Sequence, residues 1–228
     1  MANLTSNQIK ALRLEIQRIS STIESGAYNG AKAGFNRART VIGTISSVPC
    51  TPQDPEQFRQ QLLLIEALQH LAYVDHDHGG VKDIAEWCVQ RWLRFQQSQP
   101  ENWQVLQGLG NAWLLKSQAF LAKIHREEGK LPANKAQSDE RLHNANYVEA
   151  RGILQPSTEY FSRAVTTAER KGQLSGELLA QAAESFMSLG NVTYSNRNGQ
   201  LFDQAVAYLR KAQKIPGYRL PPHLQECL

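Results

Sequence analysis

The sequence predicts an all-α protein. Three observations carry that reading. Apolar residues recur at steps of three and four along most of the chain, the spacing of one helix face. Clusters of Gly and Pro cut this pattern into segments of helical length. No segment alternates apolar and polar residues at the period of two that a half-buried strand needs. The pattern gives eight or nine helices in about four antiparallel pairs.

The first stripe is Ile9, Leu12, Ile16, Ile19 and Ile23, with Thr5 or Ser6 placed to cap its start and Gly26 near its end. The second is Ala31, Phe35, Ala38, Ile42 and Ile45, closed by Pro49 and Pro52. Phe58, Leu62, Ile65, Leu68 and Ala72 form the third. It is separated by Asp75-His76-Asp77-His78-Gly79-Gly80 from a fourth that carries Val81, Ile84, Cys88, Trp92 and Phe95.

The fifth helix carries Leu106, Leu109, Gly110, Trp113, Phe120 and Ile124. A polar stretch over about 129–146 reads as an extended loop. The sixth helix holds Tyr160, Phe161, Ala164 and Ala168, with Pro156 expected in its first turn or, alternatively, at a kink. Leu178, Ala182, Phe186, Leu189 and Gly190 mark the seventh. Phe202, Ala205, Leu209, Ala212 and Ile215 mark the eighth, and Pro221-Pro222 opens a tail that starts a short ninth. The expected pairs span about 5–48, 55–98, 101–172 and 174–215, within a single domain over 1–228.

Composition narrows the function classes. The 228 residues are 41% hydrophobic and 20% charged, as in a globular protein with a real core. The net charge of +4 is spread along the chain rather than gathered in a basic stripe, which disfavours nucleic acid as a partner. Cys50, Cys88 and Cys227 are widely spaced and form no C-x-x-C, so neither a zinc site nor a redox dithiol is indicated. There is no basic segment followed by an apolar run at the start, and no apolar run long enough for a bilayer, so the expected location is cytoplasmic or nuclear. Phosphate loops, G-x-S-x-G and H-E-x-x-H are missing from the sequence, and the chain is not expected to be an enzyme or to carry a cofactor or metal.

Some positions resemble the tetratricopeptide repeat family. Gly26, Tyr28, Ala31, Phe35 and Ala38 match that family's inter-helix turn and second helix. Leu106, Leu109, Gly110, Trp113 and Ala122 match its first helix. Phe186, Leu189 and Gly190, followed by Ala205, Leu209 and Ala212, match again, and Phe161 with Ala164 matches the second helix of an interrupted repeat. The second pair departs from the pattern, since Trp92 stands where a small residue is expected and should open the helix pair or alter the superhelix. The resemblance implies a right-handed α-solenoid with a concave face lined by the first helix of each pair.

That resemblance also implies a peptide groove. The residue after Leu-Gly points into it in the family, which selects Asn111 and Asn191. Helical steps add Gln104, Gln107 and Leu114 beside Asn111, and Glu184, Met187 and Tyr194 beside Asn191. The expected function is a protein–protein interaction scaffold holding a peptide or helix of another protein. The alternatives are a helical-repeat RNA binder and a self-assembling subunit. Two further features have plainer readings. Asp75, His76, Asp77 and His78, with His70 nearby, are good metal ligands but read as a solvated turn. Trp87, Trp92, Trp103 and Trp113 read as core packing rather than an aromatic box.

Overall fold

The structure, a computed structural model, describes residues 4–25, 28–50, 54–129 and 139–228. The turn at Gly26, the side chain of Tyr28, Pro52 and most of the expected loop over 129–146 lie outside the described residues. Among those described there are nine α-helices and no strand, and the helices pack as adjacent pairs. No helix is long and apolar enough to cross a membrane among the described residues. The chain divides into two compact units, Met1–Pro100 and Glu101–Leu228.

The first unit contains α1 (Ser6–Glu24), α2 (Tyr28–Ser46), α3 (Pro55–Ala72) and α4 (Lys82–Ser98). Thr5 caps α1 reciprocally. Its hydroxyl accepts from the Gln8 N–H at 3.3 Å, while the Gln8 side chain accepts from the Thr5 N–H at 2.8 Å. Asp54 caps α3 through the Glu56 N–H, ahead of Pro55 in the first turn, and also accepts from the Ser6 hydroxyl at 2.9 Å. One carboxylate thus ties the starts of α1 and α3 together, and the two helices pack along each other.

Helix α3 is the centre of this unit, packed against both α1 and α4. Leu64, Ile65, Leu68 and Leu71 are fully buried on it, and so are the amides of Gln61 and Gln69. These amides find partners inside. Gln69 accepts from the Trp92 indole N–H at 2.8 Å, and Gln61 accepts from Arg91 at 2.8 Å. Trp92 lies inside the pair rather than at its edge. It is buried between them, held by a side chain that a small residue would leave unsatisfied.

The second unit contains α5 (Trp103–Glu128), α6 (Ala145–Arg170), α7 (Gly176–Asn191), α8 (Ser195–Ala212) and the short α9 (Pro222–Gln225). Helix α6 begins well before Pro156, which lies in its interior rather than its first turn. The reason is a buried stripe of Tyr147, Ala150, Leu154 and Phe161 that runs across both sides of the proline. Pro156 supplies no N–H to the carbonyl of Gly152, an exposed position that water reaches. The stretch before α6 is not loop throughout, because Asp139–His143 forms a 3-10 turn. Arg141 fixes that turn to Glu128 at 2.9 Å.

Glycine sets the spacing of both helix pairs in this unit. A Cβ on Gly110 of α5 would lie 2.9 Å from the ring of Phe161 on α6. A Cβ on Gly190 of α7 would lie 2.8 Å from the ring of Phe202 on α8. Each pair is thus closed by an aromatic ring laid on a bare backbone. The hydroxyl of Ser185 on α7 donates to Ser157 on α6 at 2.8 Å, and Ser157 donates to the Gly110 carbonyl at 2.8 Å, joining three helices through a fully buried chain.

Candidate partner-binding site

Helices α5 and α7 run side by side in the same direction. The Trp103 indole donates to Gln173 at 2.7 Å, and the Gln107 amide donates to Gln181 at 2.9 Å. The Gln107–Gln181 bond and the serine chain between Gly110 and Ser185 agree on the register of the pair to within one residue, while Gln173 lies before the start of α7. In that register Asn191 lies about five to six residues, roughly 8–9 Å, further along than Asn111. The two asparagines are not level with each other.

The eight residues selected from the sequence divide accordingly. Gln104, Gln107 and Asn111 share one stripe of α5, with Gln104 exposed and the other two half-buried. Glu184 and Asn191 share the stripe of α7 that contains Gln181. Glu184 also accepts from His223 of α9 at 3.0 Å. Met187 is half-buried against the core. Leu114 continues the α5 stripe but is buried in the core. Tyr194 lies elsewhere. Helix α7 ends at Asn191, the chain turns, and Tyr194 occupies the N-cap position of α8.

At that position Tyr194 faces a cleft of about 740 Å³ between α6 and α8. Phe186 and Leu189 of α7, with Leu201 and Tyr208 of α8, supply its apolar surface. Phe186 and Tyr208 meet edge to face at 5.6 Å between ring centres. Arg151 of α6 lies over the Tyr194 ring at 5.1 Å and donates to the carbonyls of Val192 at 2.6 Å and Leu142 at 2.8 Å. The Tyr194 hydroxyl is 3.2 Å from Nδ1 of His143. Reading the sequence did not find this cleft. Its trace is a polar stripe on α8, Arg197, Gln200 and Gln204, ending in an aromatic at Tyr208.

The first unit has a cleft of about 720 Å³ floored by Ile23, Phe35, Val74 and Val81. Its rim is partly occupied by internal pairs, Arg39 with Asp83 at 2.7 Å and His78 with Asp75 at 2.7 Å. The Asp75–His78 segment forms a 3-10 turn over His76–His78, and His70 pairs with Glu24 at 3.7 Å instead. Among the described residues no three His, Cys, Asp or Glu side chains converge on a metal-sized site. The Cys88 thiol is fully buried, and burial raises its pKa far above the ordinary range. Each tryptophan engages its own surroundings. Trp87 donates to Ser46 at 3.0 Å, and Lys116 lies over the Trp113 ring at 5.1 Å.

Compared with known proteins, the chain matches no family model, and no curated protein or solved structure shows significant similarity to it. The tetratricopeptide resemblance therefore rests on the sequence positions alone.

Proposed function

We propose that this chain is a protein-interaction scaffold that holds a segment of a partner protein against the face shared by α5 and α7. The observation that carries the reading is the Gln107–Gln181 pair. It seats the first helices of two consecutive pairs side by side and lines the join with carboxamides. A side-chain amide offers both a donor and an acceptor, the two groups that an extended main chain presents. Gln104, Asn111 and Asn191 extend this lining along the two helices. Pairing of this kind, repeated along the chain, is how a right-handed tetratricopeptide-like solenoid builds its inner face. The scaffold would work in the cytoplasm or nucleus on another protein.

The test is affinity capture with the tagged full-length chain, quantified by mass spectrometry, against the Asn111→Ala, Asn191→Ala double variant. The expected outcome is about a tenfold loss of specific partners, with helical content and melting unchanged, since two lost amide contacts are worth roughly 1.4 kcal/mol. Undiminished capture by the folded variant would remove the α5–α7 face from the reading. Tight RNA binding that falls steeply across a salt series would replace the protein partner altogether.

A further inference from the structure

The cleft between α6 and α8 is a second site, on different residues from the α5–α7 face. We propose that it takes an extended acidic peptide segment: an Asp or Glu side chain at its arginine end, and an apolar side chain about five residues away at its aromatic end.

Charge decides the first contact. Among the described residues that line the cleft, the charged ones are Arg151 and Arg197, and neither pairs with a carboxylate among the described residues. They share one end. Arg151 bonds the Val192 carbonyl and covers Tyr194, which places it at the α7–α8 turn, and Arg197 lies in the first turn of α8. Asp139 borders the space beside this end, with one carboxylate oxygen committed to Ser195, so a single acidic group stands against the two arginines. Its carboxylate accepts from the Ser195 N–H at 3.2 Å and from the Ser195 hydroxyl at 2.8 Å. Arg151 is held in place before any ligand arrives, and two backbone carbonyls leave the rest of its five donors free of those bonds. A positioned guanidinium with a second one nearby is a carboxylate site.

Spacing decides the rest. From Arg197 to Tyr208 the helix rises about 16 Å, which an extended chain covers in about five residues. Gln155 on α6, and Gln200 and Gln204 on α8, lie along this run, where side-chain amides meet main-chain N–H and C=O groups. The run ends at the Phe186–Tyr208 pair, whose edge-to-face rings accept an aliphatic or aromatic side chain. A volume of about 740 Å³ suits a short segment rather than a folded domain.

The experiment uses the labelled full-length chain and a positional-scanning library of octapeptides, acetylated and amidated so that no terminal charge competes. The expected result is enrichment of Asp or Glu at one position, with Leu, Phe or Tyr about five positions away. Arg197→Glu should lower binding of the best peptide at least tenfold, and Arg197→Gln should lower it less. Arg197 is exposed, so both variants should keep the helical spectrum of the parent, whereas Arg151 is unsuitable because its backbone bonds support the fold. The Asn111→Ala, Asn191→Ala variant should bind the same peptide unchanged, which separates this site from the α5–α7 face. A library without acidic enrichment, or an acidic preference that survives in folded Arg197→Glu, overturns the proposal. A fluorescent uridine octanucleotide that binds more tightly than the best peptide, and loses binding in Arg197→Glu, overturns it in favour of a nucleic acid.

Discussion

Gly110 and Gly152 are both helical glycines, and their surroundings give substitution opposite signs. At Gly110 a methyl group would press into the ring of the fully buried Phe161. Gly110→Ala should therefore destabilise the protein by about 1 kcal/mol or more, even though alanine favours a helix by roughly the same amount. At Gly152 the space is open, and Gly152→Ala should stabilise by about 0.5–1 kcal/mol. Urea denaturation of both variants measures the contrast, and equal signs would refute it. Tyr73 supplies a second residue-scale prediction. Burial pushes its phenol from the ordinary 10.0 up to about 12. The folded state thus retains a proton that the unfolded chain loses, so the contribution is full below pH 10 and fades as pH rises toward 12. Tyr73→Phe should flatten the alkaline decline in stability over that window, read as melting temperature against pH. An unchanged slope would mean that other groups cause the decline.

At the scale of elements, much of the architecture was legible because helix ends announce themselves. Thr5 caps α1 as the sequence suggests, whereas Asp54 and Ser175, whose hydroxyl accepts from the Leu178 N–H at 3.2 Å, are caps that the apolar stripes alone do not point to. What covers each helix was less legible, because an apolar stripe tells which face is buried but not which partner buries it. Leu114 shows this. The stripe Gln104, Gln107, Asn111, Leu114 turns from polar to apolar at the point where α5 passes into the core. Tyr194 shows a different failure. Counting in helical steps past Asn191 assumes a helix that has already ended, so the ring was assigned to α7 when it belongs to the cleft beside α6 and α8. Pro156 suits a helix start or a kink, and the buried stripe on both sides of it carries the helix through it despite one missing donor. Arg91 was not singled out at all. It covers the Phe95 ring one turn along its own helix, but its hydrogen-bond partners, the Val48 carbonyl at 2.6 Å and Gln61, are far away in sequence.

At the scale of the whole molecule, the chain is organised as two compact units divided at Pro100, the described residues giving four helices to the first and four with the short α9 to the second. Each unit has its own core. Ile16, Ile65 and Phe95 are fully buried in the first, and Leu154, Phe161 and Leu209 in the second. Both are long enough to bury a working core. Residues 1–100 and 101–228, expressed separately, should each be helical and melt cooperatively, and their summed circular dichroism should match that of the intact chain. A fragment that stays unfolded would show that its helices need the other unit to form. The hydroxyl chain from Ser185 through Ser157 to Gly110 belongs to this scale too, because it joins the two pairs of the second unit into one body.

The two glycine–aromatic contacts also bear on ancestry. Position 110 gains a side chain at a cost in stability unless position 161 gives up volume, and positions 190 and 202 are bound in the same way. Each couple should therefore vary together, a bulkier residue on one helix being answered by a smaller one on the other. Where overall similarity has faded, such matched substitutions are the mark by which a distant relative of this chain can be recognised.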